Sequence, residues 1–245
     1  MAVTNSDIAH LQSSVTASAG GAITASGITS GAMNNVWPDI SDALRIAGTV
    51  IYRKTFIKNN HATDSLLTPS VYISSPPTSA TLVLGLGINS ADDADTAQGN
   101  MSAWSGTGVV ALVSSTVGDS RVATIYGLDN TGTPVPVTEA VALNGTTEVL
   151  SLTVFSKVWA VFVDSLDASR TVTVRQGSGG TARGSIGVNK KSCWLWVAAT
   201  SKGAGIYLPS LAPGQNYGVW RKLTVSAGAS AVRPNSLTVS IEENV

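Results

Sequence analysis

The stretch from residue 120 to residue 163 constrains the fold most, because its apolar residues come in short runs that alternate with polar ones. Residues 121–127 and 135–143 are two such runs, and each ends at turn-forming residues. Alternation over about four to eight residues is typical of a half-buried β-strand. Asn144-Gly145 separates the second run from residues 148–153 and predicts a β-hairpin with a type I′ turn, in which both residues take a positive φ. The stretch contains no catalytic constellation, so we interpret it as scaffold.

The same pattern recurs along most of the chain and predicts about twelve to fourteen strands. Further strands are predicted at residues 49–59, 66–74, 80–87, 108–113, 158–163, 169–175, 185–188, 217–225 and 236–241. No apolar run approaches the roughly 18–20 residues that a membrane-spanning helix needs. One Ig-like sandwich contains about seven to nine strands, so this number suits two such domains. The sequence therefore predicts an all-β protein built from two Ig-like β-sandwich domains.

The charged residues are few and balanced. Lys+Arg and Asp+Glu number 15 each, and charged residues make up 12% of the chain, against a usual value of about a quarter. A nucleic-acid surface needs clustered positive charge, so we expect no nucleic-acid partner, and the short apolar runs predict no membrane partner. Isolated monomers usually carry more surface charge than this. We therefore expect other copies of the chain to cover part of the surface, as in a homo-oligomer.

The N-terminal segment differs from the rest in composition. Residues 1–35 are rich in Ser, Ala, Gly and Thr and hold too little apolar mass for a core. They are either a disordered tail or an extended arm that pairs, strand to strand, with a neighbouring subunit. Trp37-Pro38 marks an anchor at which the arm meets the body. The first residues show no secretory signal, so we expect synthesis in a cytoplasm, where the protein either stays or from which it is released by assembly or lysis.

Few groups in the sequence are suited to catalysis. A hydrolytic triad needs an imidazole base, and the chain has only His10, in the arm, and His61, in a polar turn. A glycosidase needs two carboxylates in a cleft, but Glu139 and Glu148 flank the predicted hairpin, where exposed side chains are the expectation. The sequence therefore predicts that the protein is not an enzyme and has no catalytic residues.

The sequence also predicts no metal and no cofactor. Asp92, Asp93 and Asp95 lie in one loop but lack the Gly and the distal Glu of an EF-hand, which favours a solvated loop. Cys193 is the only cysteine, so the chain can form no internal disulfide and no zinc site with its two distant histidines. Its position in a strand predicts a buried core thiol. Residues 176–181 form a Gly-rich loop without the Gly-Lys-Ser/Thr of a P-loop.

Trp194 and Trp196 share one face of a predicted strand. Packing in a core or an interface is the usual role of such residues. An exposed pair at this spacing would instead offer a stacking platform for sugar rings. This second reading leaves a glycan-binding module open as an alternative function.

Parts of the chain resemble structural proteins of tailed-bacteriophage virions. Residues 35–40 with 48–59, and residues 218–229 with the last predicted strand, are similar to two pieces of one β-sandwich domain in such proteins. The turn-rich segment 126–147 resembles a separate β module of virion proteins. These are packing and turn motifs, so the resemblance brings no site residues to this chain.

The resemblance implies that a second domain is inserted into the first. The implied organisation is an arm and anchor at residues 1–47, a discontinuous β-sandwich at residues 48–114 and 191–245, and an inserted β-sandwich at residues 115–190. A tandem of two sandwiches is the alternative. The two arrangements differ in one observable, because insertion requires the strand near Ile51 to share a sheet or a core with the strand near Trp220.

The resemblance also implies a function. It points to a non-enzymatic virion component that assembles in multiple copies, through its arm and its sandwich surfaces, with itself and with other virion proteins. We expect it at the head–tail neck or collar, or as a decoration protein of the capsid or tail. The alternative is a receptor- or glycan-binding module of a fibre or baseplate. The expected location in either case is the virion.

Overall fold

The computed structural model describes residues 3–15, 20–30, 32, 35–88, 95–131, 135–231 and 238–242. Within these residues the chain forms fifteen strands, arranged in antiparallel sheets, and one six-residue α-helix, α1 (Asp42–Ala47). The prediction of an all-β protein is confirmed, and the sheets are consistent with the β-sandwich class. The Ig-like arrangement of the domains stays a prediction. No helix in the described part of the chain has the length and apolar character needed to cross a membrane.

The chain divides into two compact units. Unit 1 contains Met1–Ala94 and Val197–Val245, and unit 2 contains Asp95–Trp196. Unit 1 is therefore discontinuous in sequence, with the whole of unit 2 between its two segments.

Unit 1 contains two antiparallel sheets. Its strands are β1 (Ile8–Ser13), β2 (Ile23–Gly27), β3 (Thr49–Asn59), β4 (Ser70–Ser75), β5 (Thr81–Leu86), β13 (Ile206–Tyr207), β14 (Asn216–Val225) and β15 (Thr238–Glu242). The first sheet has five strands in the order β2-β1-β3-β14-β5, and the second has three in the order β13-β4-β15.

Strands β3 and β14 are neighbours within the five-stranded sheet. The alternation of β3 puts Ile57 on one face and Phe56 on the other, and both side chains are fully buried. Ten residue pairs join β3 to β14, among them Ile51 with Leu223. The sequence left two arrangements open, an inserted domain and a tandem of domains. Insertion requires these two strands to share a sheet or a core, and they share a sheet.

Unit 2 contains one seven-stranded antiparallel sheet. Its strands are β6 (Gly108–Ser114), β7 (Val122–Asp129), β8 (Pro136–Ala142), β9 (Val149–Val163), β10 (Val172–Gln176), β11 (Thr181–Ile186) and β12 (Ser192–Trp194). The strand order is β11-β10-β6-β9-β7-β8, and β12 pairs with the second half of β9. Buried side chains from these strands, such as Leu112, Ile125, Phe155 and Val161, form the core of the unit.

The sequence predicted a hairpin in which Asn144-Gly145 joins β8 to β9. This prediction is wrong, because the two strands are not neighbours. Strand β7 lies between these two strands and pairs with both of them. Only Gly145 in the turn has a positive φ, of 57°, and Thr147 N–H donates to the Asn144 carbonyl at 3.0 Å. Strand β7 takes the inner position because Ala123 and Ile125 are fully buried, whereas β8 keeps most of its residues at least partly exposed.

The predicted domain boundaries differ from those of the two units. Residues 108–114, assigned from the sequence to the first sandwich, form β6 and pair with β9 and β10 in unit 2. Residues 192–194, also assigned to the first sandwich, pair with β9. An apolar run indicates that a strand belongs to a core but does not indicate which core. The predicted strands at residues 148–153 and 158–163 are two parts of the single strand β9.

Candidate functional site

The N-terminal arm is part of the five-stranded sheet. Strand β1 pairs with β3 through five residue pairs, from Ile8 with Asn59 to Gln12 with Thr55. Strand β2 pairs with β1 and forms the edge of the sheet. In β1, Ser13 is buried and the other five residues are partly buried, whereas three of the five residues of β2 are exposed. Main-chain hydrogen bonds and partial side-chain burial therefore both attach the arm. Two segments of the arm are therefore strands of this sheet, while pairing with a neighbouring subunit stays a prediction.

A cavity of about 300 Å³ lies between the arm and β3. It is lined by Gln12, Ser13, Ile28, Asn35, Val36 and Pro38 of the arm and its anchor, and by Arg53, Lys54 and Thr55 of β3. The Gln12 side chain donates to the Asn35 carbonyl at 2.8 Å and so joins two parts of the wall. The side-chain Oδ1 of Asn35 is buried and accepts no hydrogen bond. The volume is at the lower end of the range for small-ligand pockets.

The five-stranded sheet is cationic. Its strands contain no Asp or Glu, and their basic residues are His10, Arg53, Lys54, Lys58, Arg221 and Lys222. Arg221 on β14 lies directly opposite Arg53 on β3, so both side chains are on the same face of the sheet. Lys54 is on the other face, where it is only 1% exposed and its Nζ lies 5.1 Å from the centre of the Phe56 ring.

Arg221 is a buried cation, and two of its three guanidinium nitrogens have no hydrogen-bond partner. Its side chain is almost completely buried, and its Nε and Nη2 atoms make no hydrogen bond. Burial lowers the pKa of its guanidinium to about 10. On the same face, burial and then the charge of Arg221 lower the pKa of His10 to about 4. A buried charge without compensation costs on the order of several kcal/mol.

The two histidines lie in different settings. His10 is partly buried within β1, which corrects its placement in an unburied arm. Its side chain shares a face with Arg221, whose charge acts on it. His61 instead stabilises a turn, because its Nδ1 accepts the Asp64 N–H at 2.8 Å.

The two carboxylates that flank Asn144-Gly145 have separate partners. Glu139 accepts the N–H groups of Leu152 at 2.6 Å and Thr153 at 2.9 Å. Glu148 accepts the N–H of Gly179 at 2.9 Å. Both carboxylates accept hydrogen bonds from backbone N–H groups and hold these groups in place.

Among the described residues, no group of three or more His, Cys, Asp or Glu side chains is placed to hold a metal ion. Asp92 and Asp93 lie outside the described residues. Asp95 accepts the N–H of Ala97 at 2.8 Å and pairs with Lys190. Cys193 is fully buried, and burial raises the pKa of its thiol to about 12, so the predicted core thiol is confirmed.

Trp194 and Trp196 contact each other edge to face, with ring centres 6.0 Å apart and planes at 78°. Trp194 is fully buried. Gly99 packs so closely that a Cβ at this position would lie 2.4 Å from Nε1 of Trp196. The pair is therefore not the exposed stacking platform on which the glycan-binding alternative rested.

An exposed apolar row lies on β9 in unit 2. Three residues of β9, 151–153, lie opposite the single residue Val110 of β6, so β9 bulges at this point. The Ser151 hydroxyl accepts the N–H of Val110 at 2.9 Å and so fills the gap in the ladder. Leu152, at the centre of the bulge, is 94% exposed. We define the β9 row as Leu152 with the two exposed residues beside it, Leu150 and Val154.

The sequence analysis did not predict the cationic character of the five-stranded sheet or the β9 row. The sequence does contain a signal for the cationic sheet, because residues 49–59 and 216–225 contain five Lys or Arg and no Asp or Glu. The cross-strand pairing of Arg53 with Arg221 could not be read from that pattern.

No known protein family, no curated protein and no solved structure matches this chain.

Proposed function

We propose that the chain is a non-enzymatic structural component of a tailed-phage virion and that it assembles in multiple copies. One observation carries the proposal: strand β1 of the arm is added to β3 by main-chain pairing, and five of its six side chains are only partly buried. The place we propose is the head–tail neck or collar, or the surface of the capsid or tail. Its partners are other copies of itself and other virion proteins.

An arm attached in this way is suited to exchange between copies. Strand addition at a sheet edge is a recurring mode of recognition, in which main-chain hydrogen bonds supply the affinity. When two copies exchange arms, each arm makes the same bonds on the neighbour as on its own body. The free-energy difference is then small, and the high local concentration of copies in a particle favours the exchanged form.

The β9 row supports the proposal from a second place in the chain. A leucine that is 94% exposed leaves apolar surface in water, and covering such surface contributes about 25 cal/mol per Å². The bulge that presents Leu152 is held by the Glu139 carboxylate through two backbone N–H groups. We propose that a neighbouring subunit covers this row in the assembled particle.

The proposal is tested on particles from the source culture. Particles purified by density gradient are analysed by quantitative mass spectrometry and labelled with antibodies raised against the chain. We expect many copies per particle, with labels at one structural location. If the protein is absent from purified particles, or is a monomer at all concentrations and binds a glycan, the proposal is wrong.

A further inference from the structure

The strand order of the unit 2 sheet ends at β11 on one side and at β8 on the other. Residues 100–102 lie along β11, where the Asn100 side chain donates to the Ser185 carbonyl at 2.8 Å and Ser102 N–H donates to the Arg183 carbonyl at 2.7 Å. Within the described part of the chain, β8 pairs with β7 alone. One side of β8 is therefore open to a further strand.

The hydrogen bonds between β7 and β8 show which main-chain groups of β8 face outward. Leu143, just beyond β8, donates its N–H to the Arg121 carbonyl at 2.9 Å. In an antiparallel pair, residues that bond to the partner strand alternate with residues that do not, so every second residue back from Leu143 bonds to β7. The residues between them point their N–H and C=O groups away from β7, and these are Thr138, Ala140 and Ala142.

This outer edge of β8 has little protection against pairing. Its three outward residues are small, uncharged and exposed. Natural edge strands are usually protected by a charge, a proline or a bulge. In β8 the only proline is the first residue, Pro136, and the pairing with β7 shows no register shift. The single charged residue, Glu139, is engaged within unit 2, because its carboxylate accepts N–H groups of β9.

The edge fits a second copy of itself. Two β8 strands related by a two-fold axis run antiparallel, and each presents the same outward groups to the other. With the axis at Ala140, this residue lies opposite Ala140 of the other copy, and Thr138 lies opposite Ala142 of the other copy. All three outward residues then exchange main-chain hydrogen bonds, about six in total.

Charge and strand length favour this register over its neighbours. A shift toward the start of β8 puts Glu139 opposite Glu139 of the other copy, and like charges directly opposite each other are destabilising. It also uses Pro136, which has no N–H to donate. A shift the other way loses a residue pair, because β8 ends at Ala142. The formal net charge of zero adds no long-range repulsion between copies.

We propose that β8 pairs with β8 of a second copy about a two-fold axis at Ala140, so that the unit 2 sheets of two copies become one continuous sheet. This pairing rests on the proposed assembly in multiple copies and specifies one of its contacts. The β9 row lies beside the same edge, because the Leu152 N–H is bonded to Glu139 of β8.

Cysteine cross-linking in the full chain tests both the pairing and its register. Ala140→Cys places two cysteines opposite each other, with Cα atoms about 5.5 Å apart, within the range of a disulfide. We expect oxidation to give a linked dimer. In Thr138→Cys, the matched control, the Cα atoms would be more than about 13 Å apart, so it should stay unlinked. A mixture of Thr138→Cys and Ala142→Cys should link one variant to the other. Cys193 is fully buried and should not take part.

A charge at the same position tests the contact without a thiol. Ala140→Lys is at an exposed position and should leave Tm unchanged, but it puts two lysines opposite each other in the pair. We expect the dissociation constant of self-association, measured by sedimentation, to rise about fivefold or more. Ala182→Lys, at an exposed position of β11, is the control and should leave it unchanged.

The outcomes separate this pairing from the proposed assembly. If the chain self-associates but Ala140→Cys links no more than Thr138→Cys, or if Ala140→Lys associates as the wild type does, the pairing is overturned and assembly in multiple copies still stands. A protein that is monomeric at every concentration would overturn both.

Discussion

Leu223 on β14 lies directly opposite Ile51 on β3, although the whole of unit 2 lies between them in the sequence. The strands of one sheet therefore come from both segments of unit 1. The buried core cluster of unit 2, by contrast, consists of residues of that unit, from Met101 to Cys193.

This division predicts that residues 95–196 fold when expressed alone. We expect a cooperative urea transition and a Cys193 thiol that does not react with a thiol reagent until the protein unfolds, because the thiol is fully buried. The measurement is the reaction rate across the transition. A control variant, Val117→Cys, should react at once, since Val117 is 79% exposed. Immediate reaction of Cys193 in native buffer would contradict an independent core.

The buried pair of Asp119 and Arg121 predicts a large effect on stability. The Arg121 guanidinium donates to Asp119 at 2.7 and 3.0 Å, and the Ser114 hydroxyl donates to the same carboxylate at 2.7 Å. Asp119→Asn leaves a buried arginine without its counter-charge, so we expect the free energy of unfolding to fall by about 3–5 kcal/mol. Urea denaturation measures it. Asp164→Asn, at an exposed position, should change it by less than about 0.5 kcal/mol.

The same pair predicts a pH dependence. The hydrogen bonds from Arg121 hold the pKa of Asp119 well below its usual range. The unfolded state then binds the proton more readily than the folded state, so this contribution is fully present above pH of about 4 and is lost as the pH falls further. The difference in stability between wild type and Asp119→Asn should therefore shrink on acidification. A difference that stays constant from neutral to strongly acidic pH would show that the pair is not formed.

His10 predicts a loss of stability at a higher pH. Burial and the charge of Arg221 lower its pKa to about 4, from about 6.5 in the unfolded chain. The unfolded state binds the proton first, so stability falls as the pH decreases from about 6.5 to about 4, by on the order of 2–3 kcal/mol. His10→Leu should remove this part of the pH dependence. Gln12→Leu, on the same face of β1, should retain it, and equal pH profiles for wild type and His10→Leu would contradict the prediction.

The β9 row predicts a variant that affects assembly without affecting the fold. Leu152→Asp should leave the unfolding transition within about 0.5 kcal/mol of wild type, because the side chain is 94% exposed. It should weaken self-association, measured by sedimentation across a concentration series. Val117→Asp, a similarly exposed apolar position of unit 2, is the matched control and should leave both unchanged. Normal assembly of Leu152→Asp would remove the β9 row from the proposed interfaces.

The sequence was sufficient to predict strands but not their neighbours. Alternation identified β3 and β14 almost to the residue, because both are long and their turns are clear. It failed at Asn144-Gly145, since a turn signal is local, whereas β7 reaches its place between β8 and β9 through burial of Ala123 and Ile125. The face shared by Arg53 and Arg221 could not be predicted from the sequence for the same reason. It arises only when two strands distant in sequence pair in one register.

The most direct test of the proposed assembly determines whether the arm binds its own chain or a neighbouring copy in solution. Ala9 lies directly opposite Lys58, at a separation typical of directly opposed residues and within reach of a disulfide. Ala9→Cys and Lys58→Cys proteins are prepared separately, mixed at high concentration, oxidised and analysed on a non-reducing gel. A control mixture replaces Lys58→Cys by Val50→Cys, at the far end of β3 from the arm.

If arms are exchanged between copies, the first mixture gives a disulfide-linked dimer of one variant with the other, and the control mixture does not. Removing residues 2–34 should then abolish assembly. If the mixed proteins form no linked dimer while a single chain carrying both substitutions closes its own disulfide completely, the arm binds only its own body. That result would contradict assembly through the arm.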